Sequence, residues 1–423
     1  MSEKKQVRGQ EKDPDWRKKE ESYREIVKKY PDVSPFVITQ IDVQRRGIFY
    51  TDAALERLKP EIHQISKLIL AVHEGRGIPT SLLLRDGTSI IVSETVTQTR
   101  RDPYVVDVVD GKTVLTDDGD IIDEVEYWEK PKYYDKFTSR GTPMNQVLDA
   151  RPQRYTVYIS KYCHSWSTPG QGCKYCGIGA SGVKFKGTDR ERFHPQDLRE
   201  AMREMIREKG RFTGFILTGG SISSGAEPFD DELEGYIAAL KIIGEVFETR
   251  RFPSQVNSSA FTRKQLERLY NETGASSYTS DIEVLDEEIY KWICPGKSAK
   301  TPYAEWKRRL YNAVEIFGKG QVNTGIVAGV ELATPHGFKT EEEALKTNFE
   351  QAEELTSHGV GVKYNVWNVT PGSTLFDQLN PSLDYYVRLT KGFYDIMQKA
   401  GIPTYMDSYR KCGMHPDTNL DRV

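Results

Sequence analysis

Beyond residue 150, short runs of β-branched and apolar residues alternate with segments whose apolar positions recur three and four apart, and the alternation repeats roughly six times. The runs at 155–160, 214–217, 255–258, 277–282, 322–327 and 362–367 predict strands. The intervening patterns predict helices at 195–209, 231–247, 303–317, 341–357 and 384–399. Strands alternating with helices of this length predict βαβ units around a parallel sheet, here an open (β/α)6 barrel of the TIM-like kind. Chemistry in such a barrel gathers at the carboxyl ends of the strands.

The first 150 residues follow another pattern. Residues 1–30 are rich in Lys, Glu and Arg, which predicts a disordered tail passing into a polar helix over 16–30. From 52 to 74 the apolar positions Leu55, Leu58, Ile62, Ile65, Leu68 and Ile69 fall at helical spacing and predict an amphipathic helix. Between 80 and 128, β-branched runs are punctuated by Asp86-Gly87, Asp110-Gly111 and Asp118-Gly119, the pairing that favours tight hairpins. A small antiparallel unit is expected there. The organisation is thus a charged segment (1–30), an α/β appendage (31–148) covering the barrel or its open edge, the barrel (149–400) and a C-terminal extension (401–423).

Composition narrows the partners. The 59 basic and 62 acidic residues nearly cancel, so no strong field favours nucleic acid or a membrane surface. No 18-residue apolar run or signal-peptide core occurs, and a soluble cytoplasmic protein is expected. Five cysteines, an odd number in 423 residues, do not resemble a secreted disulfide framework.

Three of the five follow the first predicted barrel strand, in Cys163-His-Ser-Trp-Ser-Thr-Pro-Gly-Gln-Gly-Cys173-Lys-Tyr-Cys176. Three thiolates on one loop can hold three irons of a cubane cluster and leave the fourth open. Pro169, Gly170 and Gly172 allow the nine-residue gap to fold back. A structural zinc site is the alternative, and it requires a fourth ligand such as His164.

This loop resembles that of the radical S-adenosylmethionine (radical SAM) superfamily, whose cluster cysteines follow the first barrel strand. The usual gaps of three and two residues are here nine and two, a variant also found in the Elongator catalytic subunit family. Ending in Cys-x-aromatic-Cys, the loop puts Tyr175 where the superfamily places an aromatic against adenine. The resemblance implies a [4Fe-4S] cluster on Cys163, Cys173 and Cys176, with S-adenosylmethionine at the open iron. It further implies a 5′-deoxyadenosyl radical that abstracts hydrogen from a small-molecule or cofactor-precursor substrate, and a reductant such as flavodoxin or ferredoxin.

Other positions acquire roles from the same resemblance. Gly219, Gly220 and Ser221, after the second strand, match the motif that accepts the amino group of S-adenosylmethionine. Ser280 and Glu283, after the fourth, fall where a carboxylate meets ribose hydroxyls, and Lys307 or Arg308 on the next helix would pair with the cosubstrate carboxylate. Val327 lies on the glycine-bearing adenine-contact strand, Gly325-Ile-Val-Ala-Gly-Val-Glu331, with its acid one position early. The turn through Asn368 and Thr370 is similar to that of the biotin synthase and hydrogenase-maturase branch, which also includes methylornithine synthase; both residues are candidate substrate contacts, as are Cys412 and His415. Cys294 is expected to pack.

Cys294 and Cys412 are too few to hold a second cluster by cysteine alone, which disfavours sulfur insertion of the biotin- or lipoyl-synthase kind while leaving it as an alternative. A non-catalytic iron-sulfur or zinc protein is the remaining one. No cobalamin signature, Walker A loop or dinucleotide fingerprint occurs.

Overall fold

In the computed structural model, residues 15–66, 72–73, 76–91, 101–189, 191–211, 213–369, 372–404 and 411–420 are described. Six parallel strands form the barrel wall: Tyr155–Tyr158, Phe215–Thr218, Ser254–Asn257, Ser277–Thr279, Val322–Ala328 and Gly361–Val366. Each pairs in parallel with the next in sequence, so the wall curls without a crossover. Such pairing needs a crossover between strands, and helices Pro195–Met205, Asp230–Phe247, Arg263–Thr273, Tyr303–Phe317 and Glu341–Ser357 supply it, while Leu383–Lys399, after the last strand, packs beside Glu341–Ser357.

Local signals set the helix ends. Thr262 and Gln265 form a reciprocal capping box, and Gly274, with φ of +68°, stops the same helix. Ser382 and Thr340 cap two later helices through their side-chain oxygens. Leu233, Ile237, Leu240 and Ile243, three and four apart on Asp230–Phe247, are buried in the barrel core.

The fourth strand is shorter than the predicted 277–282. It stops at Thr279; the chain then bends and regains contact with the fifth strand through an isolated bridge between Glu283 and Ile326. Between the fourth strand and its crossover helix lie two short helices, Glu287–Ile293 and Pro295–Lys300.

The appendage is a six-stranded mixed sheet in the order Ile48–Tyr50, Tyr104–Val109, Lys112–Asp117, Asp120–Tyr127, Ser81–Leu84, Ser89–Ile91. All three Asp-Gly pairs turn hairpins in it. Asp110 and Gly111 both have positive φ, as do Asp118 and Gly119, the geometry that suits right-twisted strands.

The helix predicted over 52–74 is only Asp52–Glu56. Pro60 cannot continue it, and His63 and Ile65 instead form bridges to Glu129 and Pro79. Leu68 and Ile69 lie outside the described residues, as does the tail predicted before residue 15. The polar helix predicted over 16–30 is split into Trp16–Lys19 and Tyr23–Lys29, the second started by a Ser22–Glu25 capping box. Pro35–Arg46, which no periodicity announced, is a helix whose buried face carries Gln40, Asp42, Arg45 and Arg46.

The appendage meets both edges of the barrel wall. Asp149–Ala150 adds antiparallel to the first barrel strand, and Pro35–Arg46 lies near the last. Residues 411–420 are clamped between the two bodies: Gln40 Nε2 donates to Cys412 O at 2.7 Å, Gln44 Nε2 to Gly413 O at 2.8 Å, and Asp417 accepts the Tyr364 N–H at 3.4 Å on the edge strand. A buried ionic lattice locks the arrangement. Arg45 and Arg46 share Asp42, Arg46 also reaches Asp117, and Arg101 pairs with Glu20 and donates to Asn380 Oδ1. Asn380 in turn donates to Trp367 O at 3.1 Å, tying the lattice to the carboxyl end of the sixth strand. Among the described residues, no helix is long and apolar enough to cross a membrane.

Candidate active site

The first strand ends at Tyr158 and leads into the three-cysteine loop at the carboxyl end of the barrel wall. The long gap is folded back on itself. A short 3-10 turn, His164–Ser167, puts the Trp166 ring against Gly172 and Gly179, where an added Cβ at either would fall 2.5 Å from ring atoms. The return limb is pinned as well, Lys174 N–H donating to Ile293 O at 2.9 Å and Cys176 N–H to Cys173 O at 3.1 Å.

The three thiols sense one another. Burial raises Cys163, and the Cys173 charge adds to it; backbone N–H groups of Ser165 and Ser221 pull the other way. Cys176 is pushed up to about 12 by burial and then by Cys173, with the Ile178 N–H donating to its sulfur at 3.4 Å. Cys173 is held lower by a hydrogen bond from the buried thiol of Cys294. Buried thiols, two of them raised chiefly by burial and further by the charge of Cys173, are a donor set that iron, by neutralising them, would stabilise. Among the described residues no three Cys, His, Asp or Glu side chains converge on one point for a single metal ion. A cubane needs no such convergence, since each thiolate takes its own iron. The residues present therefore fit a [4Fe-4S] cluster.

Gly219 and Gly220 sit beneath this loop with no room for a side chain. An added Cβ on Gly219 would fall 2.7 Å from Ser160 N, and one on Gly220 would fall 2.6 Å from Cys163 N. The Gly-Gly-Ser turn is propped by Glu232, a buried acid that sequence reasoning missed. Its carboxylate accepts from Ile222 N–H at 2.9 Å, Ser259 N–H at 2.8 Å and Ser259 Oγ at 2.9 Å, and Ser259 Oγ lies 2.7 Å from Ser221 Oγ. Ser221 is bound into this support, with its backbone facing Cys163.

Glu283 stands across from the cysteines at the end of the fourth strand. It has φ of +75°, a left-handed conformation that a side chain with a Cβ adopts only when its surroundings hold it. Its N–H donates to Gly325 O and its carbonyl accepts from Val327 N–H, both at 3.0 Å, so Val327 lies beside it. Its carboxylate forms an ion pair with Lys297 and accepts a hydrogen bond from Tyr175. Burial pushes the Glu283 carboxyl up, and Lys297 opposes it. Burial also works against the Lys297 charge, but Glu283, Cys173 and Cys294 outweigh that, so the ammonium is held. Lys297 keeps 22% of its side chain exposed and lies 5.2 Å from the Trp306 ring centre. Beside this pair Asp281 accepts from Gly325 N–H at 2.7 Å and from Asn257 Nδ2 at 2.9 Å.

Tyr175, Gly219, Gly220, Glu283 and Val327 thus gather around the cysteines; other expected residues do not. Lys307 and Arg308 are turned away from the loop, because helix Tyr303–Phe317 packs its apolar stripe inward: Lys307 pairs with Glu354 at 2.5 Å and Arg308 with Glu305 at 2.7 Å. The basic residue at the site is Lys297, carried by the short Pro295–Lys300 helix. Its signal was the Cys-Pro-Gly-Lys interruption before the predicted crossover helix. Ser280 is buried and spends its hydroxyl on Ser258 O at 3.0 Å. Glu331 faces the helix layer, bonded to Asn348 at 2.9 Å and to Tyr385.

Asn368 follows the sixth strand and is half-buried, while Thr370 lies outside the described residues. Cys412 and His415 are buried against one another, Sγ to Nδ1 at 3.2 Å, and lie against Gln153 and Arg154, which enter the first strand. That is the opposite end from the cluster loop. A groove of about 1040 Å³, lined by Glu56, His63, Trp128 and Arg211 among others, contains none of the predicted site residues.

A curled parallel wall with a three-thiol loop after its first strand and a glycine turn after its second is the arrangement that the resemblance to the radical SAM superfamily of enzymes implies. Members of that superfamily use a [4Fe-4S] cluster and S-adenosylmethionine. No family model matches the chain. A curated relative, the bacteriochlorophyllide c C-7(1)-hydroxylase of Chlorobaculum limnaeum, is 24% identical over 280 residues, which are 62% of this chain and 64% of the relative's length. Among solved structures, a radical SAM methyltransferase from Sphaerobacter thermophilus is similar over 73% of this chain and 78% of its own, with 19% identity and a TM-score of 0.40. HydG, a maturase of the [FeFe]-hydrogenase, is similar over 59% of this chain and 51% of its own, with 16% identity and a TM-score of 0.42.

Proposed function

We propose that the chain reductively cleaves S-adenosylmethionine and uses the product to activate a C–H bond of a small-molecule or cofactor-precursor substrate. A [4Fe-4S] cluster on Cys163, Cys173 and Cys176, with S-adenosylmethionine at its open iron, supplies a 5′-deoxyadenosyl radical that abstracts hydrogen. The chain's own residues bind and orient. The backbone of Gly219 and Gly220, held by the buried Glu232, presents carbonyls to the amino group of S-adenosylmethionine. Lys297 receives the carboxylate of the cosubstrate, and Glu283 receives its ribose hydroxyls. Tyr175 and Val327 border the adenine. A flavodoxin or ferredoxin is the proposed electron source.

The observation that carries this reading is the convergence of the Glu283–Lys297 pair on the cysteine loop, which a structural zinc site would not need. The relative's hydroxylation of a chlorophyll-type pigment makes oxidation at an unactivated carbon of a cofactor precursor the favoured reaction class. The test is anaerobic: reconstitute with iron and sulfide, add dithionite and S-adenosylmethionine, and measure 5′-deoxyadenosine by mass spectrometry, with Cys173→Ala as control. Product that depends on Cys173 is expected. A protein that takes up zinc but no iron-sulfur cluster overturns the reading.

A further inference from the structure

From Ser160 to Thr188 the chain carries Lys161, Lys174, Lys184 and Lys186 and no Asp or Glu. The whole chain has more acids than bases, 62 against 59, so this run is a local excess of one sign and not a sample of the average. Arg190 and Arg192 match the two acids that follow, Asp189 and Glu191, and the excess persists to the end of the segment. The same run holds the three cysteines.

Folding brings three of the lysines to one place. Phe185, in the short turn Val183–Phe185, has two ammoniums near its ring, Lys161 at 5.4 Å from the ring centre and Lys184 at 5.1 Å. Lys186 stands 5.4 Å from the ring centre of Tyr162, the residue next to Cys163. Lys161 also donates to Gln146 O at 3.2 Å, while Lys184 and Lys186 are exposed. Among the described residues no carboxylate lies within ion-pair distance of Lys184 or Lys186. Like charges gathered in this way repel one another and raise a positive potential over the surface beside Cys163. An approaching acidic surface relieves that repulsion.

We infer that the face formed by Lys161, Lys184 and Lys186 is the docking surface for an acidic electron-carrier protein, whose carboxylates meet the three ammoniums and whose redox group is thereby brought beside the Cys163 loop. The inference rests on the proposed reading of the cysteines as ligands of a cluster that must be reduced from outside. One electron passes from the reduced carrier to the cluster, the carrier leaves oxidised by one electron, and no bond forms between the two chains. Charge pairing of this kind sets orientation and association rate, and salt weakens it.

The experiment is calorimetric titration of the reconstituted full chain with an acidic bacterial flavodoxin, and separately with an acidic ferredoxin, at low and high salt. Wild type is compared with Lys184→Glu combined with Lys186→Glu, with the milder Lys184→Gln and Lys186→Gln pair, and with Lys319→Glu, an exposed lysine in the turn that enters the fifth strand at the other end of the wall. The double reversal is expected to raise Kd about 10-fold at low salt, the glutamine pair by less, and Lys319→Glu not at all; high salt should shrink the differences. Formation of 5′-deoxyadenosine driven by the reduced carrier should fall in the double reversal, while formation driven by dithionite, which needs no docking, should not. Equal Kd in wild type and the double reversal overturns the inference, and so does an equal fall with both reductants, which would make the lysines structural. A single-stranded DNA oligonucleotide that binds this face when neither carrier does would assign it to nucleic acid and overturn it as well. Failure of the wild type to take up an iron-sulfur cluster would instead defeat the radical reading beneath it, so the two failures are distinguishable.

Discussion

The Lys297 ammonium and the Glu283 carboxylate, fourteen residues apart, form an ion pair directly across from the cysteine loop, and the acid is held there in a left-handed backbone conformation. A short helix that begins at Pro295 brings the base, and the bend after the fourth strand brings the acid. In the proposed function the base would receive the carboxylate of S-adenosylmethionine and the acid its ribose hydroxyls. Replacing Lys297 with Met is expected to weaken S-adenosylmethionine binding about 10- to 100-fold, the value of one charge-assisted hydrogen bond. Equilibrium dialysis on reconstituted protein measures this. Iron content should be unchanged, so a loss of cluster would assign Lys297 to the loop's integrity instead.

Gly220→Ala tests the floor of the site. The new methyl would fall 2.5 Å from Tyr162 C and 2.6 Å from Cys163 N, backbone atoms that cannot swing aside. Overpacking of this sort costs about 1–3 kcal/mol. Here the strain falls on the cluster loop, so iron content per chain should drop, whereas Gly111→Ala at an exposed hairpin should keep full iron.

Asp417 gives a pH signature. Burial pushes its carboxyl from 3.8 up to about 7, with Lys363 and the Tyr364 N–H pulling the other way. The folded protein therefore binds that proton more tightly than the unfolded chain. Its contribution is complete below about pH 4 and is lost as pH rises toward 7, by roughly 4 kcal/mol at most. Asp417→Asn should flatten that slope and leave the variant more stable than wild type at pH 8. Urea unfolding midpoints at pH 5 and pH 8 decide it, and parallel slopes in the two proteins would reject the assignment.

Arg101 joins appendage to barrel. Its guanidinium is buried between Glu20 and Asn380, and Glu20 also pairs with Arg45, so removing Arg101 breaks one arm of a buried network at a cost of about 3 kcal/mol. Arg101→Met should lower the thermal midpoint and speed proteolysis at the appendage–barrel junction. Adding Glu20→Gln should deepen the loss, since Glu20 is still the partner of the buried Arg45.

The barrel was legible because its strands and helices repeat with clean periods. The ends of Tyr303–Phe317 and Glu341–Ser357 coincide with the predicted ones, since their apolar stripes are regular, Gly318 follows the first and Thr340 caps the second. The cysteine loop was legible for a different reason, namely the spacing of three thiols. Less visible was what lay between: helix Pro35–Arg46 buries Asp42, Arg45 and Arg46, so the polarity that suggests solvent was in fact paired charge. Lys307 and Arg308 stand on a long helix with a plain pattern and pair there with Glu354 and Glu305, whereas the six-residue helix that carries Lys297 is too short to leave a periodic signal. Glu232 was hidden by its place in an acidic first turn, Asp230-Asp231-Glu232, which ordinarily marks only a helix start.

The clamp on residues 411–420 also sets an order of events. Gln40 bonds to Asn419 across 379 positions, and Arg101 to Asn380 across 279. On a ribosome the appendage emerges before the barrel, and Gln40 and Arg101 lack their Asn419 and Asn380 partners until those distant segments have been made. Closing loops of that span is slow. The appendage, made before the barrel, thus completes these contacts only after the barrel that closes them.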